Sequence, residues 1–512
     1  MTAGHGPPVV LAGIQVVQAS VILVLFAGVT VLGIAASRWR RADLNQIDEW
    51  ALGGRRFGGF LTWFLQGGSV YTTYSFIAIP ALVYGTGAAG FYALPYLVIA
   101  YPVAFVFLPR LWEVANRKGY VTSSDYVLDR FGSPLLSLVV TVTGLVAIVP
   151  YAALQVYGIE VAIAQVGLPV DASLWTAFGL LAVVTYVSGL RSATLISVAK
   201  DVLIWITVLV GVTYIPVRLG GYAHIFATVP ASTLTLPAGH LTDYATLAIG
   251  SGLFLFLYPH TITGALSASS GFVIQRNSVF LPVYTVMLGL LALMGYMARA
   301  ANVHLNPAYG ANAAVPALFD KMFPPAFAGF ALAAIAIGAL VPAAMMAIAA
   351  SNLFARNIWK QYVRPRAGAR EETTVAKISS LFVKLGAVAF VVVAPTTYVV
   401  NFQLAGGVWM LQVLPAVALA LFVPWLDRRW VLCGWAVGIA LGTWPLALVH
   451  FRTTSYAYPL FGHHLVLYIG IPAVLANLVV VFAGSGIGSV VRTRSRFEAL
   501  ALGTAPPSRD FR

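Results

Sequence analysis

The chain has 512 residues, of which 60% are hydrophobic and only 9% are charged. A soluble domain carries roughly 25% charged residues, so this composition excludes a water-coated globule and points to a chain that lives in a bilayer. The net charge of +14 lies in short runs between apolar stretches rather than over one face, which sets nucleic acid aside as a partner. Cys433 is the only cysteine, so an intrachain disulfide and a cysteine metal cluster are excluded.

Taken in chain order, the apolar segments number about 13: about 9–36, 60–84, 89–109, 135–159, 172–189, 201–217, 245–265, 278–298, 326–351, 378–396, 404–425, 430–450 and 464–484. Each is near the length of about 20 residues that crosses a hydrocarbon core of about 30 Å. Helices are expected throughout, because each buried backbone group must be satisfied within its own segment, and strand-length alternation is not evident. The first segment is too long for a cleavable signal sequence and reads as a retained helix.

Charge orients the spans. If the N-terminus lies outside, the inner segments hold Arg38, Arg40, Arg41, Arg55 and Arg56, then Arg110, Arg117, Lys118 and Arg130. They also hold Arg191, Lys200, Arg276, the run from Arg356 to Lys377, Arg428, Arg429 and five tail arginines. The outer segments hold Arg218, Arg299, Lys321 and Arg452. A division of about 25 against 4 follows the positive-inside rule, so a cell-membrane protein with a cytoplasmic C-terminus is expected. No appended soluble domain is expected either.

The second span concentrates polar groups at membrane depth: Gln66, Gly67, Gly68, Ser69, Tyr71, Thr72 and Thr73. Paired glycines weaken a helix by about 1 kcal/mol each relative to alanine, and a half-helix beginning here would aim N–H groups at an anion. In the seventh span, Tyr258-Pro259-His260 follows Gly250-Ser251-Gly252. Pro259 cannot donate, which leaves the Leu255 carbonyl available, and the His260 imidazole can hold or release a proton near neutral pH. Tyr151 and Gln155 in the fourth span could line the same cavity. Four charged residues fall within or beside spans: Glu160 toward an outer end, Lys200-Asp201 at an inner end, and Lys384 deeper in the tenth span. Such residues are functional candidates, with anchoring or gating expected of the two acids.

Several strings carry a family resemblance. Trp50-Ala51-Leu52-Gly53-Gly54-Arg55-Arg56-Phe57-Gly58 precedes the glycine-rich second span. Ser123-Ser124-Asp125-Tyr126 with Arg130-Phe131-Gly132, Tyr258-Pro259-His260 and Asn357-Ile358-Trp359-Lys360 follow in order. The set resembles the solute:sodium symporter family across roughly residues 45–430. Pro150-Tyr151-Ala152-Ala153-Leu154-Gln155, Ser188-Gly189-Leu190-Arg191, Lys200-Asp201-Val202-Leu203-Ile204 and Pro342-Ala343-Ala344-Met345-Met346 look most like its monocarboxylate permease branch.

The resemblance implies an all-α integral membrane protein with an inverted-repeat 5+5 core of the leucine-transporter type. Residues 1–44 would be an extra N-terminal helix, 45–217 the first repeat, 218–244 an outer loop and 245–425 the second repeat. Residues 426–484 would form accessory helices and 485–512 a cytoplasmic tail. Five is odd, so two consecutive five-helix units enter the membrane from opposite sides, as the charge pattern independently requires. Substrate then sits near the midplane, where the first helix of each repeat is interrupted. The implied substrate-binding set is Gln66, Gly67, Ser69, Tyr71, Thr72, Thr73, Tyr151, Gln155, Tyr258 and His260.

The family's sodium site, carried over by position, falls on the carbonyls of Gly68, Tyr71 and Gly338 and on two hydroxyl positions occupied here by Val341 and Pro342. No Ser or Thr occurs between Phe323 and Ala350, and a hard cation wants oxygen ligands. A degenerate cation site is expected, with H+ favoured over Na+ as the coupling ion and only a weak all-carbonyl sodium site conceivable. The leading reading is a symporter for a small monocarboxylate such as lactate, pyruvate or propionate. A sodium-coupled symporter for another solute, such as an amino acid, and a transporter-like membrane sensor are the alternatives. An enzyme is set aside, since His463-His464 is adjacent rather than i,i+4 and no paired carboxylates stand at depth. No cofactor or metal is expected; the partners are the small-molecule substrate and the bilayer.

Overall fold

The computed structural model describes residues 10–11, 14–38, 45–394, 399–460 and 463–501. Arg40, Arg41 and the tail from 502 onward lie outside the described residues. Among those described, 10 helical stretches are long and apolar enough to cross a membrane, or up to 11 when the bent pair Leu241–Leu257 and Pro259–Leu266 is counted as one. The difference from about 13 arises where expected spans run together. The outer half of the second span continues into the third across Tyr74–Lys118. The fifth and sixth fall in one helical run, Val170–Arg218, of which Leu190–Arg218 is itself long and apolar enough to cross.

Local signals set the helix ends. Thr122 and Asp125 form a reciprocal capping box at Ser123–Phe131, and Gly132 closes that helix in the left-handed region, where glycine carries no side-chain penalty. Ser133 caps Pro134–Ala164, with Pro134 in the first turn, where its missing N–H costs nothing.

The Pro325–Phe354 helix is the axis of the bundle. Its apolar window is wholly buried, and it packs against Pro134–Ala164, Val170–Arg218, Val16–Arg38 and Ala369–Val393. Alanines at 331, 333, 334, 336, 339, 343 and 344 let these backbones approach closely.

Two features depart from an all-helical reading. A small hairpin pairs Val10–Leu11 with Ile14–Gln15, and a longer one pairs Ser455–Leu460 with His463–Tyr468. The final helix therefore begins at Gly470 rather than near 464. A continuous apolar run such as Leu465 to Leu475 does not separate strand from helix by hydropathy alone.

At the opposite, arginine-rich end, the motif strings converge. Asn357 donates to Asp125 Oδ1 at 2.8 Å and accepts from the Thr122 hydroxyl at 2.8 Å. Arg356 lies 3.1 Å and Lys360 2.6 Å from Glu372. Glu49 pairs with Arg191 and, at 3.2 Å, with Arg56. Asp48 lies 3.6 Å from Arg55; burial raises its carboxyl above the ordinary value, and Arg55 pulls it back. Arg55 also donates to the Tyr120 carbonyl, so this polar latch ties the loop before the second span, the turn around 120–125 and the end of the Pro325–Phe354 helix together.

Asn357→Leu removes both hydrogen bonds and leaves Asp125 and Thr122 short of a partner. It is expected to destabilise the fold by about 1–3 kcal/mol, read as a lowered unfolding midpoint in detergent. An unchanged midpoint would show that the latch contributes nothing.

Candidate functional site between two broken helices

The second span is interrupted. Helix Gly59–Gly68 ends at Ser69, and regular helix resumes through a π-turn at Tyr74–Ala78 into Ile79–Thr86. Between them the chain turns on short-range bonds: Ser69 N–H to the Gln66 carbonyl, and Val70 and Tyr71 N–H to that of Gly67. The Gly68 and Tyr71 carbonyls are thereby released from the helical ladder. Buried away from solvent, each such group needs a partner or costs several kcal/mol.

The seventh span is also interrupted. Leu241–Phe254 passes through a 3-10 turn, and Tyr258 is extended at φ −58 and ψ 139 before Pro259–Leu266 departs at 51°. The Leu255 carbonyl has a neighbour to bond with: the single proton of the Thr261 hydroxyl is shared between it at 3.0 Å and the Tyr258 carbonyl at 2.7 Å.

One face of the two breaks is joined by the Pro134–Ala164 helix. Thr73 N–H donates to Gln155 Oε1 at 3.1 Å, and Gln155 Nε2 donates to the Tyr151 carbonyl at 3.4 Å. Tyr151 packs its ring 5.2 Å from Tyr258 and 5.3 Å from His260. All five side chains are buried. Gly158 lets the segments meet, since a β-carbon there would run into the Thr73 side chain. Among the described residues, both His260 nitrogens, the Thr73 hydroxyl and both Gln66 amide atoms have no hydrogen-bond partner. Buried polar groups without partners are uncommon in a finished fold, and these five atoms at the two breaks are among those the described residues leave unpaired.

The other predicted positions play different parts. The Ser69 hydroxyl donates to the Gln66 carbonyl at 2.5 Å, and the Thr72 hydroxyl accepts from Tyr74 N–H at 3.0 Å. Both serve the local backbone. The Tyr258 hydroxyl donates to the Gln403 carbonyl at 2.9 Å. Gly67 and Tyr71 turn to the opposite face: a β-carbon at Gly67 would strike the Tyr284 ring, and Tyr71 packs 4.4 Å from that ring. A cavity of about 810 Å³ opens at the hairpin end, lined by Tyr92, Asp243, Leu404 and Arg452 among others. Its Tyr92 hydroxyl accepts from Tyr74 at 3.1 Å, so it reaches the resumed half of the second span.

That opposite face holds the group that reading the sequence misplaced. Lys200 and Asp201 are not exposed anchors: both are fully buried and lie against the break in the second span. Lys200 Nζ donates to the Gly68 carbonyl at 3.1 Å and the Tyr71 carbonyl at 3.0 Å. It pairs with Asp201 Oδ1 at 2.8 Å, while the Tyr284 hydroxyl donates to Asp201 Oδ2 at 2.6 Å. Val341 and Pro342 are buried in the Pro325–Phe354 helix and offer no side-chain oxygen, and Gly338 packs against Ile204. The carbonyls expected of a sodium site are thus already engaged by an ammonium, and the residues present do not fit a free sodium ion there.

The remaining charges at depth differ. Glu160 accepts from the Tyr309 hydroxyl at 3.0 Å near the 301–313 loop. Lys384 is buried, and its ammonium has no hydrogen-bond partner among the described residues.

Gln155→Leu strips the acceptor from Thr73 N–H inside the bundle. A loss of about 1–3 kcal/mol is expected, measured as a lowered midpoint of thermal unfolding. A midpoint equal to the unsubstituted chain would mean that Gln155 does not hold the break.

Comparison with known proteins agrees with this architecture. Residues 50–438 match the model of the Sodium:solute symporter family. A monocarboxylate transport permease protein of Rhizobium johnstonii is 46% identical over 469 residues, covering 90% of this chain and 95% of that one. An uncharacterized symporter, YodF, of Bacillus subtilis is 34% identical over 81% of this chain and 84% of its own. A solved structure of a Na+-coupled sialic acid symporter, in a substrate-bound outward-open state, superposes with a TM-score of 0.73. It covers 92% of this chain and 98% of its own at 17% identity, which speaks to the fold alone.

Proposed function

We propose that this chain, which belongs to the sodium:solute symporter family, moves a small monocarboxylate across the cell membrane together with a proton. It is a multi-pass membrane transporter and not an enzyme. The observation that carries the substrate reading is the buried bridge from Thr73 through Gln155 and Tyr151 to His260. A carboxylate placed there meets the N-terminal end of the resumed half-helix, whose dipole favours negative charge. Gln66, the Thr73 hydroxyl and His260 supply donors that the fold itself leaves unused. The rings of Tyr151 and Tyr258 close the space to a small solute. The 46% identity to a permease named for monocarboxylates supports the same class.

Coupling to a proton rather than sodium is supported by Val341 and Pro342, which stand where the family's fold would need hydroxyls. The domain organisation follows the same reading: residues 45–217 and 245–425 act as inverted repeats, each opening with a broken helix. The arginine-rich latch faces the cytoplasm and the Ser455–Tyr468 hairpin faces outward.

The test is uptake of labelled lactate, pyruvate, propionate and alanine into proteoliposomes. An inward proton gradient should drive uptake of the monocarboxylates, and replacing sodium with choline at fixed pH should change it less than about twofold. Collapse of uptake in choline would overturn the coupling, and transport of alanine alone would overturn the substrate class. His260→Phe keeps the ring packing and removes both nitrogens; it is expected to lower monocarboxylate uptake at least about tenfold while the protein still elutes as a folded species. Uptake equal to the unsubstituted chain would move the pocket elsewhere.

A further inference from the structure

The break in the second span creates a cation site by backbone geometry alone. Two carbonyl oxygens, Gly68 and Tyr71, lose their helical donors and point toward one spot beside the carboxylate of Asp201. Oxygen atoms gathered in a buried site attract a positive charge, and leaving them unpaired would be costly. The spot holds the Lys200 ammonium, at 3.1, 3.0 and 2.8 Å from the three oxygens. Tyr284, donating to the second Asp201 oxygen, fixes the acid from a third segment, Pro282–Ala300.

We propose that Lys200 is a tethered cation: its ammonium supplies the positive charge at the helix break that a diffusible ion would otherwise have to bring. A covalently attached cation loses no translational freedom on reaching its site, whereas a free ion does. The charge is also present whatever the sodium concentration. Lys200 is therefore a positioning residue. It touches no substrate atom but holds the 69–73 segment against the Val170–Arg218 helix, and that segment carries Thr73, whose N–H and hydroxyl face the substrate side. The two faces of one five-residue break thus have separate duties: cation on one, carboxylate on the other.

The inference rests on the reading that sodium does not drive transport, and its test separates the two. Purified unsubstituted protein is first given radioactive sodium in equilibrium dialysis, with choline as the balancing salt. No saturable binding is expected, and saturable binding of about one ion per chain would overturn the tethered cation. Lys200→Met keeps the length of the stem and removes the charge. Lys200→Met with Asp201→Asn removes both charges, so that no buried acid is left alone if the single variant fails to fold. Whichever elutes as a folded species should take up monocarboxylate at least about tenfold more slowly, with the loss shared by every substrate of the panel. A folded variant within about twofold of the unsubstituted chain would overturn the role of Lys200 while leaving sodium-free transport intact. Failure of the unsubstituted chain to transport in choline would instead strike the coupling reading.

Discussion

Everything near the centre of this molecule depends on one constraint: backbone carbonyls released inside a bilayer must be given partners. The second span stops at Gly68 and resumes after Thr73, and the break is tolerable only because its polar groups are met from neighbouring helices. Lys200 meets the carbonyls on one side, and Gln155 meets the Thr73 N–H on the other. The seventh span obeys the same rule with its own resources, through the Thr261 hydroxyl. Gln66, the Thr73 hydroxyl and His260 are left without a hydrogen-bond partner at the two breaks, and the proposed reading gives them to the ligand.

On the proposed reading, the buried pair takes the place of a diffusible cation at the break in the second span. An isolated ammonium in this environment would be expensive, but Asp201 neutralises it and the two carbonyls and Tyr284 satisfy the pair. Such a pair is weak as a source of stability, so its value lies in fixing a geometry. It holds an unwound segment in one place. On the same reading, the absence of side-chain hydroxyls from Phe323 to Ala350 and the presence of Lys200 belong together, since a site that carries its own cation has no use for further ligands.

Much of this was legible in the sequence. Hydropathy located the crossings, and the glycine and hydroxyl cluster at 66–73 and the Tyr258-Pro259-His260 string marked both breaks. The motif strings identified the family, although only the structure shows Arg55, Asp125 and Asn357 gathered at one end. Lys200 and Asp201 were misjudged because charge was used to mark the ends of spans. Adjacent opposite charges followed by a long apolar run could have signalled a buried pair, and a cation site stripped of ligands was a second hint. Side-chain direction within the 66–73 cluster was beyond reach: Tyr71 and Thr73 are two residues apart yet serve opposite faces of an irregular segment. The Ser455–Tyr468 hairpin was missed because its second strand merges into the apolar run of the next helix.

The central claim is best tested by a cryo-EM map at about 2 Å resolution of the full chain prepared in sodium chloride. Continuous side-chain density should run from the Lys200 backbone to the point between the Gly68 and Tyr71 carbonyls, with no separate peak beside it. An isolated ion peak coordinated by those two carbonyls, with the Lys200 side chain turned away, would contradict the account.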